Sequence, residues 1–242
     1  MKSYLGWWAE AGLIDPASDT PFHWLAPLES GVSLAAVAAP RPADQPTARA
    51  IAPAIVPART SLPTNLADFD RWIAEASDFP GRDWSIRPVL PSGPVNAPLM
   101  LLGDAPDPGD IEVGRLFSGA QGKLVDAMLA AIGLTRDACR IGSIALTRPI
   151  GGRLDGPDAE RLSLLARHHI ALARPRSLLL VGQQSAQLIA GEGISPQPRQ
   201  LGFNHEGVTV AAFAVHHPRL LLERPLLKRT AWDVLKRVRE QF

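Results

Sequence analysis

Short apolar runs alternate with longer helical patterns from residue 99 to the end of the chain. The first run, Leu99-Met100-Leu101-Leu102, lies between Pro98 and Gly103 and is typical of a strand that is buried on both faces. The pattern continues with strands at 140–146, 177–181 and 208–214 and helices at 119–132, 157–173, 184–190 and 225–240. Alternation of this kind predicts an α/β fold, a three-layer α/β/α sandwich around a mostly parallel, four-stranded sheet.

The residues before this region follow a different pattern. Residues 2–13 have apolar side chains at helical spacing, which predicts one short helix, whereas residues 37–63 carry six prolines among many alanines. Proline cannot continue a helix or a central strand, so this stretch is predicted to be an extended linker. A helical pattern resumes after Asn65, a residue type that caps helices. We therefore expect an N-terminal helical segment (1–36), the linker (37–63) and an α/β domain (64–242) with a helical lead-in at 64–97 and its core at 98–242.

Composition narrows the class of protein. The chain has 242 residues, of which 46% are hydrophobic and 20% are charged, enough for one substantial core. Its net charge of +1 neither requires nor excludes nucleic acid, although basic side chains outnumber acidic ones from Leu99 onward. No apolar stretch reaches the roughly 18 to 20 residues of a membrane span, and the first residues lack the apolar region of a signal peptide. We expect a cytoplasmic protein with no membrane partner.

Cysteine and histidine usage bears on cofactors. Cys139 is the single cysteine, so one chain can form neither an internal disulfide nor a cluster held by several thiolates. His216 and His217 are neighbours whose side chains diverge in a strand, and no carboxylate or cysteine stands at a standard metal-ligand spacing beside them. We expect no metal and no cofactor.

Three side chains that can bind a ligand or take part in a reaction come after predicted strands. Asp104 lies in a turn at the carboxyl end of the first strand, where open α/β sheets bind ligands. Phe117 follows in the next loop, and His217 comes directly after the last apolar strand. A carboxylate near an aromatic face is typical of a pocket for a nucleic-acid base. Two simpler interpretations stay open, with Asp104 as a helix or turn cap and Phe117 as ordinary core.

Four motifs in this region share their residues and their order along the chain with the motifs of a known family. They are Gly103-Asp104-Ala105-Pro106, the stretch from Gly114 through Phe117 to Leu124, the pair Arg148-Pro149, and His217-Pro218-Arg219-Leu220-Leu221. The family's forms are Gly-Glu-Ala/Gly-Pro-Gly, Gly-Arg-Pro-Phe-Val-Gly-x-x-Gly-x-Leu, the end of Thr-Asn-x-x-Lys-Cys-Arg-Pro, and His-Pro-x-x-Leu. From Leu99 to Phe242 the chain thus resembles the uracil-DNA glycosylase superfamily, and in particular its bacterial and archaeal iron–sulfur branch.

The resemblance implies a DNA glycosylase of base excision repair, which hydrolyses the N-glycosidic bond of uracil or another deaminated base. It implies that Asp104 orients or deprotonates the attacking water and that His217 donates to the base carbonyl oxygen. The candidates for base binding are Phe117, Ser143, Ala105 and Asp110. Lys123, Arg148 and Arg219 lie near the predicted carboxyl-end loops and are candidate contacts for DNA phosphates, with a solvated charged surface as the alternative for the arginines. DNA is the expected partner of a monomer, and the N-terminal segment is a candidate contact for a protein partner.

The chain departs from the family at several of these positions. Asp104 stands for a glutamate, Ser143 for the asparagine that reads the uracil edge, and Leu146 for a lysine. Thr147 stands for the third cluster cysteine, and the helix that carries the fourth has none, so we expect no iron–sulfur cluster. A hydroxyl cannot reproduce the paired donor and acceptor of an amide, so the identity of the excised base stays open.

A second hypothesis, from another class, stands beside the enzyme. The substitutions at Asp104, at Ser143 and at the cysteines favour a glycosylase-like DNA-binding or accessory protein without activity. The presence of both Phe117 and His217 favours the enzyme, which we rank first. Asp110 also has two interpretations, as a second acidic site residue or as a turn residue in Asp107-Pro108-Gly109-Asp110.

Overall fold

A computed structural model describes residues 62–191, 194 and 196–242. The predicted helix at 2–13, the segment 1–36 and nearly all of the linker 37–63 lie outside these residues. The strands are β1 (Leu99–Gly103), β2 (Arg140–Ser143), β3 (Ser177–Val181), β4 (Leu201–His205) and β5 (Val208–Val215). The helices are α1 (Leu66–Glu75), α2 (Pro108–Val113), α3 (Gly119–Ala131), α4 (Gly156–Ala173), α5 (Gln183–Ala190), α6 (Pro218–Glu223) and α7 (Leu227–Arg239), with 3₁₀ turns at Arg136–Ala138 and Ile150–Gly152.

The strands form one mostly parallel sheet in the order β2-β1-β3-β5-β4. The four predicted strands are present and parallel, and β1 and β3 have the predicted bounds. The predicted strand count of four is wrong, because β4 adds an antiparallel edge strand to β5. Glu206 and Gly207 form the hairpin turn, both at positive φ. Only Phe203 is buried in β4, so this strand lacks a continuous apolar run.

Two apolar layers lie on opposite sides of the sheet, because side chains alternate along each strand. One layer contains Leu102 and Leu180 with side chains from α1, α4 and α5. The other contains Leu101 and Phe213 with side chains from α3 and α7. The predicted three-layer α/β/α sandwich is therefore confirmed. None of the helices within the described residues is long and apolar enough to cross a membrane.

The observed elements differ from prediction in one strand boundary and two short helices. Strand β2 ends at Ser143 rather than 146, although the amides of Ile144 and Ala145 still donate to the carbonyls of Gly103 and Asp104. The last predicted helix, 225–240, is observed as α7 (Leu227–Arg239), and the short helix α6 that precedes it was not predicted. The short helix α2 was not predicted from the sequence. Asp107 precedes it as N-cap, and Gly114 ends it in the left-handed conformation.

The carboxyl ends of the four parallel strands lie side by side. Gly103 at the end of β1 is in register with Ser143 of β2 and with Val181 of β3, which in turn is paired with Val215 of β5. The loops that follow these residues therefore meet at one edge of the sheet. This is the edge at which open parallel sheets bind ligands.

Candidate active site

Asp104 follows β1 and is held by the start of another element. Its Oδ1 accepts the backbone N–H of Ser185, 2.5 Å away, in the first turn of α5. The carboxylate lies so close to Gly182 that a β-carbon at that position would come within 2.4 Å of Oδ2. Burial raises the pKa of Asp104 above its ordinary value, and the hydrogen bonds from Ser185 and the nearby His217 oppose that rise. The helix N-terminus thus holds a largely buried carboxylate in place.

His217 follows β5 and serves as the N-cap of α6. Its Nδ1 accepts the backbone N–H of Arg219 at 3.3 Å, and its Nε2 has no hydrogen-bond partner among the described residues. Burial lowers the pKa of His217; the carboxylates of Asp107, Asp104 and Asp110 raise it, and Arg219 lowers it further. A neutral imidazole that accepts at Nδ1 carries its proton on Nε2. His217 is therefore arranged as a hydrogen-bond donor at neutral pH.

Phe117 lies beside His217, with the two ring centroids 6.0 Å apart and the planes tilted by 46°. Its backbone is in the left-handed region, with φ of 51°, which is unusual for an aromatic residue. The carbonyl of Phe117 accepts from Arg136, and a β-carbon at Gly122 would lie 2.2 Å from the same oxygen. These contacts hold a sterically costly conformation, a feature that is concentrated at ligand sites.

Asp110 is part of the support for this loop. Its Oδ1 accepts the N–H of Ser118 at 2.7 Å, and its Oδ2 accepts the N–H of Asp107 at 3.2 Å. Both oxygens of the buried carboxylate are thus engaged by the backbone. The geometry favours the interpretation of Asp110 as a turn residue that braces the segment next to Phe117.

Asp107 is a candidate site residue that sequence reasoning missed. Its Oδ1 accepts from Nη1 of Arg148 at 2.9 Å and from Nη1 of Arg219 at 3.2 Å, and its Oδ2 accepts from Nε2 of Gln121 at 2.8 Å. Two of the three predicted phosphate-binding residues therefore converge on one buried carboxylate. The available signal was the motif itself, since the resembling family has glycine where this chain has Asp107.

The other predicted residues lie less directly in this arrangement. Ser143 is buried at the end of β2, and its hydroxyl donates to the carbonyl of Ala145 at 2.6 Å. Ala105 is half-buried next to Asp104 and has no polar side-chain atom. Lys123 is exposed on α3 and forms no hydrogen bond or ion pair with any described residue. The structure thus brings Asp104, Phe117, His217, Arg148 and Arg219 together, whereas Lys123 makes no polar contact with them among the described residues.

Residues 90–236, more than half of the chain, match the sequence model described as the Uracil DNA glycosylase superfamily. The chain belongs to this superfamily. It is 27% identical over 170 residues to a type-4 uracil-DNA glycosylase of Sulfurisphaera tokodaii, covering 65% of this chain and 76% of the relative. It is 29% identical over 156 residues to the type-4 uracil-DNA glycosylase of Archaeoglobus fulgidus, covering 61% and 78%. The resemblance drawn from the motifs is confirmed.

The iron–sulfur cluster implied for this branch of the glycosylase superfamily does not fit the residues present. Cys139 is the one cysteine in 242 residues, and burial raises the pKa of its thiol to about 11, which disfavours the thiolate that a metal needs. Thr147 is fully buried, and its hydroxyl donates to the carbonyl of Gly81. Within the described part of the chain, no three His, Cys, Asp or Glu side chains are grouped as metal ligands.

Proposed function

We propose that this protein is a DNA glycosylase that hydrolyses the N-glycosidic bond of uracil or another deaminated base without an iron–sulfur cluster. The observation that carries the proposal is the pairing of Phe117 with His217. It places an aromatic face next to a neutral imidazole whose Nε2 is unpaired among the described residues. Membership of the superfamily, together with Asp104 at the same edge of the sheet, supports it.

The proposed reaction begins when the base leaves the DNA stack and lies against Phe117. Stacking on an aromatic ring contributes roughly 1 to 3 kcal/mol and tolerates different bases. As the bond between the sugar C1′ and the base nitrogen breaks, its electron pair leaves with the base. The Nε2–H of His217 then donates to the base carbonyl oxygen, where negative charge accumulates. Because Nδ1 already accepts from Arg219, the imidazole is oriented before substrate arrives.

Asp104 acts on the sugar side of the bond in this proposal. The N–H of Ser185 holds Oδ1 in place, and the carboxylate orients water and faces the positive charge on the sugar. The water oxygen bonds to C1′, and its proton passes to the carboxylate. Only ionised Asp104 can do this, so activity should decline as the pH falls through its raised pKa.

The test is release of free base from oligonucleotides that contain deoxyuridine, deoxyinosine or deoxyxanthosine, with an unmodified oligonucleotide as control. We expect release from at least one of the three, and we expect Asp104→Asn to lose it while the variant keeps its fold by circular dichroism. Asp233→Asn, which removes the same charge from an ion pair with Lys236 on α7, is the matched control and should retain activity. Absence of release from all three substrates would overturn the proposal.

The alternative, a glycosylase-like protein that binds DNA or a protein partner without catalysis, is favoured by one specific contact. The Asp104 carboxylate acts as a cap on α5, which a purely structural residue would also do. This alternative predicts that the wild type binds DNA yet releases no base, and that Asp104→Asn changes stability alone. Base release that Asp104→Asn abolishes would exclude it.

A further inference from the structure

Three side chains from separate elements donate to Asp107. Gln121 comes from α3, Arg148 from the loop after β2, and Arg219 from α6. The Asp107 side chain is 10% exposed, whereas Arg148 is 25% and Arg219 is 52% exposed. The cluster therefore has a buried anion beneath two cations that reach the solvent.

This arrangement reduces the positive charge that the two arginines present to DNA. A phosphate that approaches the pair from solvent meets two cations whose field is partly cancelled by the carboxylate behind them. The contacts with Asp107 also use one Nη1 of each guanidinium. Arg148 is anchored further, since the same Nη1 donates to the carbonyl of Pro106 at 3.0 Å. Loss of the carboxylate would therefore leave Arg148 in place.

The environment of Gln121 allows this charge to be removed with little change of shape. Its Oε1 is buried and has no hydrogen-bond partner among the described residues, while its Nε2 donates to Asp107. In Asp107→Asn, the new Nδ2 can donate to Oε1 of Gln121 once the side-chain amide of Gln121 rotates by half a turn. The remaining oxygen can still accept from both arginines. Asparagine is also a good N-cap residue, so α2 keeps its start.

We propose that Asp107 is an internal counter-ion that limits how strongly Arg148 and Arg219 bind the DNA backbone. The inference rests on the proposed function, because the anion in question is a DNA phosphate. It assigns Asp107 a positioning role: the residue acts through the arginines and touches no reacting atom. Phosphate contacts carry no sequence information. We therefore expect the Asp107 counter-ion to weaken the binding of the protein to undamaged DNA.

The experiment measures binding of the full chain to a labelled, undamaged single-stranded oligonucleotide by fluorescence anisotropy over a range of salt concentrations. Asp107→Asn should bind about three- to tenfold more tightly at low salt, with a salt slope steeper by about 0.7 for each additional phosphate that the arginines neutralise. Asp233→Asn is the matched control for loss of one negative charge and should change affinity less than twofold. Adding Arg219→Gln to Asp107→Asn should cancel most of the increase in affinity.

Each other outcome counts against the inference. An unchanged salt slope in Asp107→Asn would mean that Asp107 serves only the fold, and weaker binding would mean that it prepares the arginines for DNA. An equal increase in affinity in Asp233→Asn would mean that the change in the net charge of the protein accounts for the effect. If the wild type releases base but the slope does not change, this inference alone fails. If neither the wild type nor the variant binds DNA, the proposed function fails with it.

Discussion

Two charged clusters in this domain contain the same residue types and differ in what they leave unpaired. The closed cluster is Arg140, Asp70 and His169, and it lies where β2 begins. The open cluster is Asp107, Arg148, Arg219 and His217, and it lies at the carboxyl edge of the sheet.

In the closed cluster the arginine is almost wholly enclosed. The Arg140 side chain is 3% exposed; it donates to His169, to Asp70 and to the carbonyl of Gly93. Burial, with Arg140 and His168 adding to it, keeps the pKa of His169 well below its ordinary value. The imidazole is therefore neutral and accepts from Arg140. This cluster fastens α1 and α4 to the sheet, and the arginine at its centre presents almost none of its surface to a ligand.

In the open cluster the arginines are partly solvated, and Nε2 of His217 has no partner within the described residues. A buried Arg-Asp-His group therefore does not by itself indicate a site. What distinguishes the two clusters is whether donors remain free at a surface that a ligand can reach.

The largest expected effect is on the closed cluster. Arg140→Met should lower the free energy of unfolding by about 3 to 5 kcal/mol, because Asp70 and His169 lose the donors that balance them. Urea denaturation measures this loss. Arg219→Met, the same change in the open cluster, should cost less than about 1 kcal/mol, since Arg219 is half exposed. Equal losses of unfolding free energy in the two variants would contradict the difference between the closed and the open cluster.

The next effect concerns catalysis in the open cluster. His217→Gln should lower the rate of base release by about 100- to 1,000-fold, the range found when one preorganised donor is removed from an oxyanion site. Single-turnover assays measure the rate, and urea denaturation should show a far smaller loss of stability than in Arg140→Met. Full activity in His217→Gln would remove the histidine from the proposed mechanism.

The pH dependence of stability should follow the closed cluster. The folded-state pKa of His169 lies below its unfolded value of 6.5, so below that pH the unfolded chain binds more protons than the folded one. Stability should thus fall as the pH drops below about 6.5, by up to about 1.4 kcal/mol per pH unit for this group. His169→Gln should flatten that part of the curve, measured by urea denaturation at several pH values. An unaltered curve would contradict this assignment.

The smallest expected effect is on base affinity. Phe117→Leu should weaken binding of a deaminated base in DNA by roughly fivefold, because a leucine offers no π-face for stacking. The matched control is Phe213→Leu, a change of a phenylalanine in the same apolar layer. Both variants should lose some stability, but only Phe117→Leu should lose base affinity, measured by anisotropy with an abasic oligonucleotide as reference. Equal affinity in both would make Phe117 ordinary core.

The sequence by itself determined the parallel strands and the layers. Strands β1 and β3 each contain four successive apolar residues followed by a glycine, Gly103 or Gly182, and their bounds could be predicted to the residue. Because the chain alternates strand and helix, the strand ends had to meet at one edge, and this placed Asp104 and His217 near each other. Strand β4 escaped prediction because it lies at the edge with only Phe203 buried.

Only the tertiary structure decided which charges meet. Asp107 is 41 residues from Arg148 and 112 from Arg219, and Asp104 is 81 residues from the amide of Ser185. No local periodicity encodes such contacts, since they depend on how the loops after different strands close over the sheet edge. The same holds for the closed cluster, where Arg140 reaches Asp70 across 70 residues. Side-chain chemistry could be proposed from sequence, but pairing and burial, which set charge and hydrogen bonding, required the fold.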